Sequence, residues 1–128
     1  EEVRERINND RFVEYVGISL VEVDNGYAKT KVKLEEKHLN GLDMVQGGLI
    51  FTLADYAFAA ASNSKGLMTV GINANISYFH PPRGKLLFAE AKELATSNKL
   101  CNYEVDIFDD KEDKLLAKFT ATGYIKPE

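Results

Sequence analysis

Apolar and polar positions along this chain repeat with two different periods, and the changes of period mark its elements. Residues 2–16 alternate charge with Val3, Ile7, Phe12 and Val16 at roughly helical spacing, which predicts an amphipathic helix lying over something else. Asn8-Asn9-Asp10 predicts a split of that helix into two pieces, and Gly17 its end. Residues 18–23 are a short β-type run, and Asp24-Asn25-Gly26 is a strong hairpin signal. In residues 27–34, Ala28, Thr30, Val32 and Leu34 alternate with Lys29, Lys31 and Lys33, the pattern of a strand with one dry and one wet face. Residues 35–45 read as a loop.

The next stretch has neither period. From Gly47-Gly48 to Asn63, about sixteen residues are apolar on nearly every side, Thr52, Asp55, Tyr56 and Ser62 excepted. A helix of this kind belongs inside a protein, and it is too short and interrupted to cross a bilayer. Ser64-Lys65-Gly66 ends it. The strand period then returns over residues 68–79, 85–95, 99–108 and 114–125. The turns between them are His80-Pro81-Pro82-Arg83-Gly84, Thr96-Ser97-Asn98 and an acidic stretch over 109–113. Small residues in the first of these strands (Gly71, Ala74, Ser77) suggest close approach by another backbone or a ligand. In the last, Leu115, Ala117, Phe119, Ala121 and Ile125 oppose Leu116, Lys118, Thr120, Thr122 and Tyr124. The three C-terminal strands are expected to form an antiparallel meander. The order helix, two strands, long helix, four strands predicts an α+β fold, with a sheet of five or six strands wrapped round the apolar helix.

Composition narrows the function classes. The 128 residues, 45% of them apolar, support one domain over 1–128 with a real core. A net charge of −4 argues against nucleic acid as the main partner, while leaving room for a small anion held by two or three local cations. With one cysteine, Cys101, there is no disulfide framework within the chain, which fits a reducing compartment. The N-terminus EEVRERINNDRF is charged and lacks the apolar core of a signal peptide, so a soluble cytoplasmic protein is expected, with no membrane partner.

The candidate chemistry centres on the long helix. A carboxylate in LIFTLADYAFAAA needs a partner or a use, and burial would raise its pKa, making Asp55 a competent general base or nucleophile. Gly47 and Gly48 stand where the first helix amides have no intrahelical partner and the dipole is positive, a plausible carbonyl clamp or, equally, a tight turn into the helix. Asn40-Gly41 is a common turn pair, and His38 beside it reads as a surface residue. Two histidines (His38, His80) and one cysteine make no zinc pattern, and GxSxG, P-loop and GxGxxG signatures are absent, so no metal and no cofactor are expected. Arg83, Lys85 and Lys99 lie at or near turns, as solvated charges or as contacts to a phosphorylated ligand.

Taken together, Asn40-Gly41, Gly47-Gly48, Leu53-Ala54-Asp55-Tyr56-Ala57-Phe58 and Asn63-Ser64, followed by NISYFHPPRGKLLFAEA over 75–91, resemble the hotdog-fold acyl-CoA thioesterases, most closely the phenylacetyl-CoA thioesterase branch. The resemblance implies a sheet wrapped round the long helix and dimers joined edge to edge, with active sites at the seam. It implies Asp55 of one chain as general base or nucleophile on the thioester carbonyl, the Gly47 N–H of the other polarising that carbonyl, and Asn40 holding the attacking water or the substrate. Gly48 would belong to the same substrate-binding turn. The pantetheine arm would run near Asn75, Ser77 and Tyr78, and Arg83, Lys85 and Lys99 would meet the coenzyme A phosphates. Coenzyme A enters only as part of the substrate.

One position departs from the pattern: the family histidine before Gly-Gly is Gln46, which can donate a hydrogen bond but cannot carry a proton. A thiolate leaves without much help, so hydrolysis of an aryl or medium-chain acyl-CoA remains the expectation. The rivals are a non-catalytic acyl-CoA-binding or regulatory module and, more distantly, a hotdog dehydratase or hydratase, which would need a His–acid pair that His38 and His80 do not form. Apolar faces on both sides of the C-terminal strands predict assembly beyond a dimer, to a homotetramer.

Overall fold

The computed structural model describes residues 2–111 and 114–127, with side chains from residue 5 onward. The N-terminal helical pattern breaks where Asn8-Asn9-Asp10 predicted, into α1 (Glu2–Asn8) and α2 (Arg11–Val16). The Asp10 carboxylate accepts from Val13 N at 3.1 Å to cap α2. Gly17, at φ 88°, closes it in the left-handed conformation, its N–H donating to Val13 O and Glu14 O. The predicted contact of Val3 falls outside the described side chains.

β1 (Ile18–Asp24) and β2 (Tyr27–Lys33) form the hairpin turned by Asp24-Asn25-Gly26. Ala28, Thr30 and Val32 are buried while Lys31 and Lys33 are exposed, as the alternation requires. The connection 34–46 contains a short 3-10 turn, Glu36–His38, and leads into α3 (Gly47–Ser62). Four strands follow, β3 (Thr69–Tyr78), β4 (Leu86–Thr96), β5 (Leu100–Asp109) and β6 (Ala117–Ile125). All pairings are antiparallel, in the order β1-β2-β4-β5-β6-β3. This is the hotdog arrangement, six strands curled round one long helix. β4, β5 and β6 form the expected meander, and β3, though it follows α3 directly, crosses to the outer side of β6.

The core is the helix–sheet interface. Leu53, Ala54, Ala57 and Ala61 of α3 meet Val32, Leu87, Ala89, Val105, Ile107 and Phe119 of the sheet, all almost fully buried. Each large side chain removed from water here contributes about 1.5–3 kcal/mol. Edge-to-face ring pairs, Phe51 on Phe119 and Phe58 on Tyr103, fix the azimuth of the helix. Thr30 adds a polar tie, its hydroxyl donating to Leu53 O at 3.1 Å. At the C-terminal end, Asn63 Nδ2 donates to Ala59 O and Asn63 Oδ1 accepts from Thr69 N, so one side chain ends α3 and starts β3.

Four expectations are corrected. The helix is not enclosed on every side: α3 packs mainly on β2, β4 and β5, and a flank carrying Gly48 and Asp55 stays open. Asp109 is not a turn residue; the β5 alternation Cys101, Tyr103, Val105, Ile107 continues through it onto the dry face, where it is 1% exposed. Glu112 and Asp113 of that predicted turn lie outside the described residues. Residues 114–116 precede β6, so Leu116 is buried and Leu115 exposed, the reverse of the predicted phase. The outer face of the C-terminal strands is only partly apolar: Lys118 pairs with Glu104 and Asp106 there, each at 2.7 Å, while Phe88 and Phe108 stack on the same face.

Candidate active site

The loop before α3 is built by three side chains. Contrary to its reading as a surface residue, His38 is buried. Its Nδ1 accepts from Glu35 N at 2.9 Å, which puts the ring proton on Nε2, and Nε2 donates to Val16 O at 2.7 Å. The ring thereby ties the loop to the last carbonyl of α2. The loop closes on the same residue, Gln46 N donating to His38 O at 2.9 Å. Asn40 folds the tip: its Oδ1 accepts from Leu42 N and Met44 N. Its side-chain oxygen is thus engaged within the loop, and the amide Nδ2 is the group left to meet a ligand.

Gln46 is the N-cap of α3, with an exposed side chain that makes no cap hydrogen bond. The carbonyl of Gln46 accepts from Leu49 N and Ile50 N, while no described group accepts from the N–H of Gly47 or Gly48. Two amides at the positive end of a sixteen-residue helix are therefore open to an anion or a polarised carbonyl. Tyr78, the last residue of β3, lies against them; a Cβ on Gly47 would stand 3.2 Å from its hydroxyl oxygen. Beside them is an apolar cavity of about 250 Å³ whose lining includes Met44, Ile50, Phe79, Pro81 and Pro82.

Asp55 stands two turns further along α3 on the open flank, exposed in the single chain rather than enclosed as expected. No described residue gives it a hydrogen bond or an ion pair. The protein packed around its base still raises its carboxyl above the ordinary aspartate value, chiefly by desolvation, with the negative charge of Asp10 adding to the effect. It is an unpaired carboxylate with a reason to hold or seek a proton. Among the described residues no group of three His, Cys, Asp or Glu side chains is placed to hold a metal ion.

The remaining candidates separate. A bulge between Gly71 and Asn73 resets the alternation of β3. Gly71 faces Phe58 of α3, but Asn75 and Ser77 pair beside Thr120 and Lys118, on the sheet face away from the helix. Tyr78 returns to the helix face, opposite Ala117. Within one chain, their side chains therefore do not converge with Tyr78 on Gly47. Arg83 and Lys85 share the turn after the Pro81-Pro82 wall of the cavity. Lys99 does not join them, because it follows the opposite end of β4, about 33 Å away along the strand.

Asp109 organises the Arg83 turn, its carboxylate accepting from Arg83 N, Gly84 N and Lys111 N. The uninterrupted β5 alternation was the signal for that role. Nothing local in the sequence marked His38.

Residues 43–116 match the thioesterase superfamily family model. The acyl-coenzyme A thioesterase PaaI of Escherichia coli is 32% identical over 91% of this chain and 83% of its own length. A protein of Archaeoglobus fulgidus, named only as a candidate esterase, is 38% identical over 91% of this chain and 75% of that one. The solved structure of the E. coli PaaI protein superposes with a TM-score of 0.90 at 28% identity, covering 96% of this chain and 89% of that one.

Proposed function

The chain belongs to the thioesterase superfamily, and on that premise we propose that it hydrolyses the thioester of an acyl-coenzyme A to the free acid and the thiol. The observation that carries this reading is an unpaired carboxylate, Asp55, on the same helix as two unengaged N-terminal amides, Gly47 and Gly48. A thioester is already an activated acyl group. Its hydrolysis needs a water or carboxylate to attack the carbonyl carbon and a donor at the oxygen that becomes negative. In this reading Asp55 takes the proton from the attacking water, or attacks directly to form a mixed anhydride that a water then opens to the free acid, and the Gly47 N–H meets the oxyanion. The C–S bond breaks with the pair leaving on sulfur, and the thiolate is protonated from Asp55 or from solvent. Asn40 Nδ2 orients the water or the acyl carbonyl, and Gln46 donates a hydrogen bond near the sulfur without moving a proton.

Two copies of the chain are needed. Gly47 and Asp55 are eight residues apart on one helix, about 12 Å along its axis, too far to act on one carbonyl. β3 supplies the seam: among the described residues it pairs with β6 alone, and it exposes Val70 and Ile72. An unpaired strand edge of this kind is a template for a further strand. Antiparallel pairing of two β3 edges would bring the open flank of each α3 toward the partner. We propose a homodimer with Asp55 and Gly47 of each site drawn from different chains. On the outer face of the sheet the stacked Phe88–Phe108 pair is the apolar surface that supports the expected tetramer, beside the charged Lys118 cluster. Arg83 and Lys85 remain the proposed phosphate contacts. A cytoplasmic setting agrees with the buried free thiol of Cys101, and no helix among the described residues is long and apolar enough to cross a membrane.

Thiol release measured over acyl-CoAs of varied length and aromaticity, beside an Asp55→Asn variant, tests the reading. Expected is turnover by the wild type and a loss of at least about a hundredfold in kcat for the variant. An Asp55→Asn protein with unchanged fold and unchanged turnover removes it. Gln46 favours a second reading, an acyl-CoA-binding module without catalysis; saturable binding with no thiol release across the panel would select that one.

A further inference from the structure

Adjacent glycines are a poor place to build a rigid oxyanion site. Neither Gly47 nor Gly48 has a side chain to pack, and each peptide plane can rotate with little steric resistance. A hydrogen-bond donor stabilises a developing charge best when its direction is set before the reaction. One of the two planes is held from within the helix start: the Gln46 carbonyl, which shares a peptide plane with the Gly47 N–H, accepts from Leu49 N at 3.0 Å and Ile50 N at 3.4 Å. The next plane joins the Gly47 carbonyl to the Gly48 N–H. There the Tyr78 hydroxyl donates to Gly47 O at 2.9 Å. In a trans peptide the C=O and the N–H point in opposite directions, so fixing this carbonyl also aims the Gly48 N–H.

The tyrosine is itself well anchored. Its backbone pairs with Ala117 of β6, and the next two amides, Phe79 N and His80 N, both donate to Leu116 O. Its ring stands against Gly47, with ring carbon Cζ 3.3 Å from where a Cβ would be. The contact therefore links the end of the antiparallel β3–β6 ladder to the glycine pair of α3, which lacks side-chain restraint. Burial also raises the phenol pKa, so the hydroxyl keeps the proton it donates.

We infer that Tyr78 is a positioning residue of the amide clamp: its hydroxyl and ring hold the Gly47–Gly48 peptide so that the Gly48 N–H, the second donor beside the Gly47 N–H, points at the oxyanion, and it acts through that peptide rather than by touching substrate. The inference rests on the thioesterase reading for its catalytic meaning and on the hydrogen bond alone for its structural one.

Tyr78→Phe removes the hydroxyl and keeps the ring. With hexanoyl-CoA and benzoyl-CoA as probes, kcat falls about five- to tenfold for both, and KM stays within about twofold, as for one hydrogen bond lost from a group that matters only in the transition state. In the same variant the NMR backbone order parameter of the Gly48 N–H falls, while those of β6 are unchanged. A raised KM at constant kcat would make Tyr78 a substrate contact and overturn the inference, as would unchanged kinetics or an unchanged order parameter at Gly48. Wild-type turnover is the control for the thioesterase reading. If the wild type releases no thiol from either probe, that reading fails, and the order parameter at Gly48 still decides whether Tyr78 holds the peptide.

Discussion

Asp55 is a carboxylate whose surroundings disfavour its charge, and two outcomes follow from the sign of that shift. To serve as base or nucleophile it must be ionised, so the rate is full above its raised pKa and falls as pH drops through it. The acid limb of the kcat–pH profile is therefore expected above the ordinary aspartate range, and initial rates between about pH 4 and 8 locate it. The same shift is a stability cost. Because the folded-state pKa lies above the unfolded one, folding is penalised progressively as pH rises through the unfolded value, and the penalty is complete above the folded value. Asp55→Asn is thus expected to raise Tm at pH 7 and leave it nearly unchanged at pH 3, where both states are protonated. A variant that loses activity while gaining stability would mark Asp55 as a functional rather than a structural acid.

Single elements carry their own tests. The turn between β3 and β4 hangs on two consecutive carboxylates at the end of β5. Asp109 holds Arg83 N and Gly84 N, and Asp110 holds Lys85 N and Leu86 N. Asp109→Asn leaves one oxygen to accept and turns donors toward an amide, a loss of about 1–3 kcal/mol in urea denaturation. Since this turn carries Pro81 and Pro82 of the cavity wall and Arg83 beside it, KM for acyl-CoA should rise more than kcat falls. At the other side of the cavity, His38 serves α2 and the loop together. His38→Leu keeps bulk but strips the donor to Val16 O and the acceptor for Glu35 N, and about 1–3 kcal/mol of destabilisation is expected in the same measurement. His38→Gln, able to restore one of the two bonds, should recover part of it.

The whole molecule decides whether one chain is enough. If each site takes Asp55 from one copy and Gly47 from the other, chains carrying Asp55→Asn and chains carrying Gly47→Ala are each inactive alone. Random mixing of the two makes about half of all dimers hybrid, each with one intact site, so about a quarter of wild-type turnover returns. Absence of any recovery, with hybrids verified by mass, would place both groups in one chain and end the shared-site proposal. Gly47→Ala suits this test because the added Cβ would crowd Tyr78 at 3.2 Å, at the clamp and away from the β3 edge.

The sequence alone determined the elements and their chemistry along the chain. The 3.6-residue and two-residue patterns are local, so they marked α2, the β1–β2 hairpin, α3 and the meander to within a few residues. The Gly47-to-Asp55 spacing was legible because helix geometry turns sequence distance into axial distance. Tertiary structure alone decided the burial of His38 and the alignment of Asp109 with amides from 25 or more residues earlier. It also decided that a single bulge after Gly71 turns Asn75 and Ser77 away from the helix while Tyr78 reaches it. These outcomes share a cause. A polar side chain settles where partners distant in the chain converge, and one extra residue in a strand exchanges its faces; neither leaves a trace in the local period.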